Sequence, residues 1–280
     1  LLFGVLMTVS FTAIVVSDAF LDAYMPASIT GGQPVRGTLV CILVLGVIAI
    51  GQLEFSKLAA AKNLKIFTPV TIVASLLFTG TWYWQQVLHL CPQLFLLLLS
   101  AFSLLALLLY QYLLYGTSAV LVSCGASYFS IVYLGVLGGF VPAIRVEFGP
   151  WSLLMFVFVV KCSDIGAYAI GSLCGKHAFS PRVSPGKTWE GMAGALATGV
   201  LVAVVFAAIS GIMVWLLAVA FGFCFACIAQ IGDLVESMIK RDAERKDSGR
   251  KVPGFGGILD IIDSVLVAAP FAYLFFKLLL

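Results

Sequence analysis

Gln230-Ile-Gly-Asp233-Leu-Val-Glu236-Ser237-Met-Ile-Lys240-Arg241 opens a polar stretch that closes with Val252-Pro-Gly-Phe255-Gly-Gly-Ile-Leu-Asp260-Ile-Ile-Asp263-Ser264. Apolar segments long enough to span a bilayer flank it on both sides. Only 10% of the 280 residues are charged, and 62% are hydrophobic; a soluble domain carries about 25% charged residues. Much of the scarce charge lies between Asp233 and Asp263. Asp260 and Asp263 fall inside the start of an apolar segment, where an ionisable side chain is costly and marks a functional site. The chain therefore reads as an all-α, polytopic integral membrane protein. The net charge of +3 gives no reason to expect a nucleic-acid partner.

A membrane-spanning helix needs about 20 mostly apolar residues. That length picks out nine candidates, at 1–18, 38–54, 67–84, 93–115, 118–140, 151–172, 191–210, 212–232 and 257–278. They group into N-terminal helices (1–90), middle helices (91–150) and a C-terminal catalytic region (151–280) with two polar loops. With the N-terminus cytoplasmic, the cytoplasmic loops hold Lys57, Lys62, Lys65, Lys176, Arg182, Lys187, Lys240, Arg241, Arg245, Lys246, Arg250 and Lys251. The other side holds Arg36, Arg145 and Lys277. This bias places both polar loops, 173–190 and 233–256, in the cytoplasm.

Asp18, Asp22 and Glu54 stand at helix ends and read as interfacial. The odd set of seven cysteines reads as small buried hydrophobes, Cys224 and Cys227 included. In the sixth candidate, Lys161 and Asp164 are one helical turn apart. They form either a self-neutralising pair or the wall of a polar cavity. The next loop, Ser184-Pro-Gly186-Lys187-Thr188-Trp-Glu190-Gly191, contains Gly-Lys-Thr but is no P-loop. Pro181 stands where the first glycine belongs, and the surroundings expected from the sequence are membrane helices instead of a strand. It still presents a basic, hydroxyl-rich segment before a helix N-terminus, which suits phosphate.

On a helix, Asp233, Glu236 or Ser237, and Lys240 share one face. Two helices, each with acids at membrane depth, offer hard oxygen ligands for Mg²⁺ bound jointly with a nucleotide phosphate. The run Ser237-x2-Lys240-Arg241-x4-Lys246-Asp247-x-Gly249-x2-Val252-Pro253-Gly254-Phe255-Gly256-Gly257-Ile258-x-Asp260-x-Ile262-Asp263 closely resembles the signature of the phosphatidate cytidylyltransferases, or CDP-diacylglycerol synthases. Asp164-x-Gly166-Ala167-Tyr168 and Ser184-Pro185-x-Lys187-Thr188-Trp189-Glu190-Gly191 resemble that family's upstream blocks. The resemblance covers 161–264. At two positions the family's His and Arg are replaced by Phe255 and Ile261, which can neither donate a hydrogen bond nor act as a base.

The resemblance implies transfer of CMP from CTP to phosphatidic acid, with release of pyrophosphate. It implies Mg²⁺, alone or with a second cation, and a homodimer. The site would lie on the cytoplasmic side of the membrane (the inner membrane in a bacterium). Asp233 and Asp260 are the expected metal ligands, with Asp263 and Asp247 as further ones. Asp233, Asp260 and Lys240 form the expected catalytic set. Lys240 and Arg241 would hold CTP phosphates, and Ser184, Lys187, Thr188, Ser237 and Lys246 would contact substrate. Two other classes fit parts of the pattern: a CTP-dependent polyprenol or dolichol-type lipid kinase, and a secondary transporter.

Overall fold

The computed structural model describes residues 2–24, 35–89, 91–244 and 256–280. Lys246, Asp247 and Phe255, all part of the signature, lie outside them. Ten α-helices account for nearly all of the described chain. In lipid a helix satisfies its own backbone, so the apolar composition leaves little alternative.

Two compact units share the chain. The first comprises residues 1–147 and 247–260. It contains α1 (Leu2–Tyr24), α2 (Thr38–Ala61), α3 (Thr68–Thr79), α4 (Thr81–Leu88), α5 (Pro92–Tyr115) and α6 (Val120–Ser130), then a π-helical segment, Ile131–Val136, that leads into α7 (Leu137–Cys174). α2, α3 and the π-helical segment pack on one another. The second comprises 148–246 and 261–280. It holds the rest of α7, a two-stranded antiparallel hairpin of β1 (Ala178–Ser180) and β2 (Ser184–Thr188), α8 (Trp189–Ser210), α9 (Trp215–Asp242) and most of α10 (Leu259–Leu279). α8 packs along α9.

Six helices among the described residues are long and apolar enough to cross a membrane, and the protein is an integral membrane protein. The candidates of the sequence map onto these elements unevenly. Those at 118–140 and 151–172 belong to one helical stretch, Val120–Cys174. It breaks at Gly149, with φ 86° and ψ 179°, immediately before Pro150, which disfavours helical geometry in the residue ahead of it. The candidate at 67–84 is two short helices, because Gly80 caps α3 and α4 begins at Thr81. The hairpin is an addition to the all-α expectation: the loop at 173–190 folds back on itself.

The acids expected at interfaces, Asp18, Asp22 and Glu54, find partners inside the first unit, and Arg145 is a residue of α7 and not of a loop. Asp18 is fully buried and Arg145 is 2% exposed. The Arg145 Nε lies 2.8 Å from Asp18 Oδ2, and its guanidinium also donates to Asp22. The opposite carboxylate oxygens accept from the backbone: Asp18 Oδ1 from Leu39 N–H at 2.6 Å, Asp22 Oδ1 from Gly37 N–H at 3.2 Å. One arginine thus ties the end of α1, the entry to α2 and the first part of α7. Removing it leaves the buried Asp18 and the half-buried Asp22 without their cation. Arg145→Met should destabilise the protein by about 3–5 kcal/mol, read as the shift of its denaturation midpoint in detergent. An unchanged midpoint would show that the triad contributes nothing.

Candidate active site

The second unit gathers its charges from four elements. α7 supplies Lys161 and Asp164, the hairpin Lys187, α9 Asp233, and α10 Asp263 and Ser264. The hairpin is fastened at its base by Glu190. Its Oε1 is 2.6 Å from His177 Nδ1, and its Oε2 accepts from the backbone N–H groups of Lys176 and His177. Phe179 packs edge-on against Trp189, with ring centroids 4.7 Å apart. Thr188 then caps α8, its Oγ1 accepting from Gly191 N–H at 3.1 Å. A threonine in extended backbone conformation is a favoured N-cap.

This fastening aims Lys187 at α9. Its Nζ donates to Asp233 Oδ2 at 3.0 Å and to the Gln230 carbonyl at 3.1 Å. A second ammonium comes from α7. Lys161 Nζ donates to Ser264 Oγ at 2.8 Å and to Asp164 Oδ2 at 3.3 Å, and Ser264 Oγ donates to that same oxygen at 3.0 Å. Asp263 Oδ1 accepts from Ser264 N–H at 2.6 Å. Asp164, Asp263 and Asp233 all act on the Lys161 charge. Three acids and two lysines thus form one electrostatic cluster, with a formal charge of −1 if every member is ionised.

Gly232 makes this convergence of α9 and α10 possible. A Cβ there would lie 2.8 Å from the Cα of Ser264 and 3.3 Å from the Cβ of Val267. Small residues let membrane helices approach backbone to backbone, and this one adjoins Asp233.

The remaining expected residues fall elsewhere. Lys240 pairs with Glu236 one turn back on α9, where Glu236 is 2% exposed. Arg241 Nε donates to the Val183 carbonyl in the hairpin turn at 3.4 Å. Ser237 is half-buried on α9 and Ser184 half-buried at the start of β2. Asp260 belongs to the first unit, where its Oδ2 accepts from Gly257 N–H at 2.7 Å. Sequence reading left Lys161 and Asp164 divided between a packing pair and a cavity wall. Their shared contact with Ser264, 100 residues and more away in the chain, brings them into the cluster. Nothing in local spacing could have shown it.

The donor set suits a hard divalent cation. No three acid, histidine or cysteine side chains among the described residues close a metal site by themselves. Mg²⁺, however, takes only one or two carboxylates and completes its shell with phosphate and water oxygens. Asp164 Oδ1 is buried and has no hydrogen-bond partner among the described residues, so one carboxylate oxygen of the cluster is left without a protein donor.

A family model described as the cytidylyltransferase family matches residues 7–279. The chain belongs to this family. Its relatives include phosphatidate cytidylyltransferases of Mycobacterium bovis, 42% identical over 130 residues, covering 46% of this chain and 42% of the relative. The Haemophilus influenzae protein of that name is 42% identical over 134 residues, 45% of this chain and 46% of the relative. That of Brucella suis is 42% identical over 151 residues, 52% and 53% respectively. The chain thus spans about half the length of the curated relatives it matches.

The close approach at Gly232 has a measurable consequence. Gly232→Val forces α9 from α10 and should cost about 1–3 kcal/mol. Gly46→Val on α2, where an added Cβ meets nothing within 4 Å, should change stability by less than about 0.5 kcal/mol. Thermal unfolding in detergent compares the two; equal shifts would contradict the packing described for Gly232.

Proposed function

We propose that this protein transfers CMP from CTP to phosphatidic acid, giving CDP-diacylglycerol and pyrophosphate. The observation that carries the reading is the cluster of Asp164, Asp233 and Asp263 with Lys161 and Lys187, built from apolar helices and the hairpin of a cytidylyltransferase-family chain. A site at membrane depth suits a reaction that joins a bilayer lipid to a soluble nucleotide.

In this reading a phosphate oxygen of phosphatidic acid attacks the α-phosphorus of CTP. The new P–O bond forms as the bond from the α-phosphorus to the oxygen bridging the β-phosphate breaks, and pyrophosphate leaves with the electron pair. The nucleophile is already anionic, so no side chain need remove a proton, and the absence of a base at Phe255 and Ile261 is tolerated. The protein's task is to position anions and balance their charge. Asp233 and Asp263, with Asp164, would hold Mg²⁺, which when bound would offset charge on the phosphate oxygens. Lys187 balances Asp233 before substrate arrives and can turn its ammonium to a phosphate as substrate binds. Lys161 holds Asp164 and Ser264 in register. Thr188 keeps its hydroxyl proton for a phosphate oxygen while capping α8, beside Ser184 on the same strand. Lys240 and Arg241, at the end of α9, would meet the leaving pyrophosphate. Asp260 is expected to be required as well, as a metal ligand, and the active face to be cytoplasmic, where CTP is.

A lipid kinase would make a different product, so label position separates the two. In mixed micelles of phosphatidic acid with Mg²⁺, label from the α-phosphate of CTP should enter the lipid. Label from the γ-phosphate should leave as pyrophosphate, and EDTA should stop both. Entry of γ-label into lipid would replace this reading with the kinase, and a folded protein that releases neither would refute it. Asp233→Asn, Asp260→Asn and Asp263→Asn should each lower turnover by at least about a hundredfold, the loss expected when an electrostatic contact to the transition state is removed, with the thermal midpoint in detergent little changed. A near-normal rate in any one of them would remove that residue from the site.

A further inference from the structure

Glu54 lies in α2, far in sequence from the acids described above, and its side chain is 1% exposed. α2 is long and apolar enough to cross a membrane. A carboxylate buried there is costly and needs specific partners. Its Oε2 accepts from the backbone N–H of Leu259 at 3.0 Å, across 205 residues of chain. Leu259 is the first residue of α10, so its N–H is one of the donors that a helix leaves without an intrahelical acceptor. Negative charge at this end also complements the helix dipole.

Asp260 works on the same turn from within. Its Oδ2 accepts from Gly257 N–H at 2.7 Å. Two acids therefore hold the backbone of 257–260, and both contacts lie inside the first unit. A Glu54 that served packing alone would gain nothing from its charge, because an apolar side chain of similar volume fills a buried space at lower cost. What the charge adds is a fixed start for the helix turn that carries Asp260.

We infer that Glu54 is a positioning residue for Asp260: by binding Leu259 N–H it sets where α10 begins and how the Asp260 carboxylate is presented. The inference rests on the proposed requirement for Asp260 in cytidylyl transfer. Glu54 touches no substrate, and it gives the N-terminal helices, which lie outside the sequence signature, a part in the chemistry.

The test combines amide hydrogen exchange over 256–262 with the Mg²⁺ dependence of the purified full-length chain in mixed micelles. Glu54→Leu keeps the volume and loses the acceptor. It should speed exchange at Gly257–Asp260 about tenfold, as expected for loss of one charge-assisted hydrogen bond. It should also raise the Mg²⁺ concentration for half-maximal rate severalfold, with KM for phosphatidic acid unchanged. Glu54→Gln retains an acceptor and should restore both readouts most of the way. Unchanged exchange in Glu54→Leu overturns the proposal. So does faster exchange with wild-type Mg²⁺ dependence, which would leave a cap without a positioning role. Should Glu54→Leu not fold, Glu54→Asp decides. Its shorter side chain withdraws the acceptor and keeps the charge, and wild-type behaviour in both readouts would equally overturn the proposal. If the wild-type protein makes no CDP-lipid, the functional reading fails by itself, and the exchange measurement still decides whether Glu54 holds the turn of Asp260.

Discussion

A charge inside a bilayer must be neutralised where it stands, and this constraint organises both units. In the first, Arg145 takes two aspartates. In the second, Lys187 takes Asp233, Lys161 takes Asp164, and Lys240 takes Glu236. The pairings differ in what they leave over. Arg145 and Asp18 are buried and Asp22 is half-buried, and backbone N–H groups hold the other oxygen of each aspartate. The second unit combines three acids with two flexible ammoniums, a buried carboxylate oxygen on Asp164 that no protein donor meets among the described residues, and a serine hydroxyl shared between Lys161 and Asp164. Such a cluster is what the proposed binding of a cation and of phosphate oxygens requires.

The fold supports the cluster with ordinary devices. Thr188 caps α8, Glu190 fastens the hairpin, and Gly232 lets α9 and α10 meet. Lysine serves better than arginine beside the acids, because a compact ammonium on a flexible stem can exchange a carboxylate for a phosphate. Arginine, a rigid fork, is used where the pairing is permanent. The proposed reaction needs such exchange, and it asks for no base that Phe255 or Ile261 would have supplied.

How much of this could be read without the structure follows from the range of each interaction. The helices were legible because composition and length decide them, and the acids at 233, 260 and 263 stood out as charge within apolar sequence. The count of spans was not, because Gly149 kinks a helix that Pro150 would be expected to end, and Gly80 divides one that hydropathy runs together. The hairpin at 178–188 was hidden by its Pro-Gly content, which marks turns without showing that the flanks pair. Least legible were the partners. Asp18, Asp22 and Glu54 look interfacial by position in the chain, yet their ligands are Arg145 and Leu259, more than 100 residues distant. The packing of helices in space, which local pattern does not encode, decides such pairings.

The central claim is that the acids of the second unit are a cation site kept in balance by resident lysines. The most direct measurement is binding of Mn²⁺, as a paramagnetic substitute for Mg²⁺, to the purified protein in detergent with CTP present. The account predicts saturable binding in the wild type, lost in Asp233→Asn and Asp263→Asn and preserved in Arg145→Met to the extent that this variant folds. Undiminished binding in both aspartate variants would contradict it, and would leave these carboxylates as partners of Lys161 and Lys187 alone.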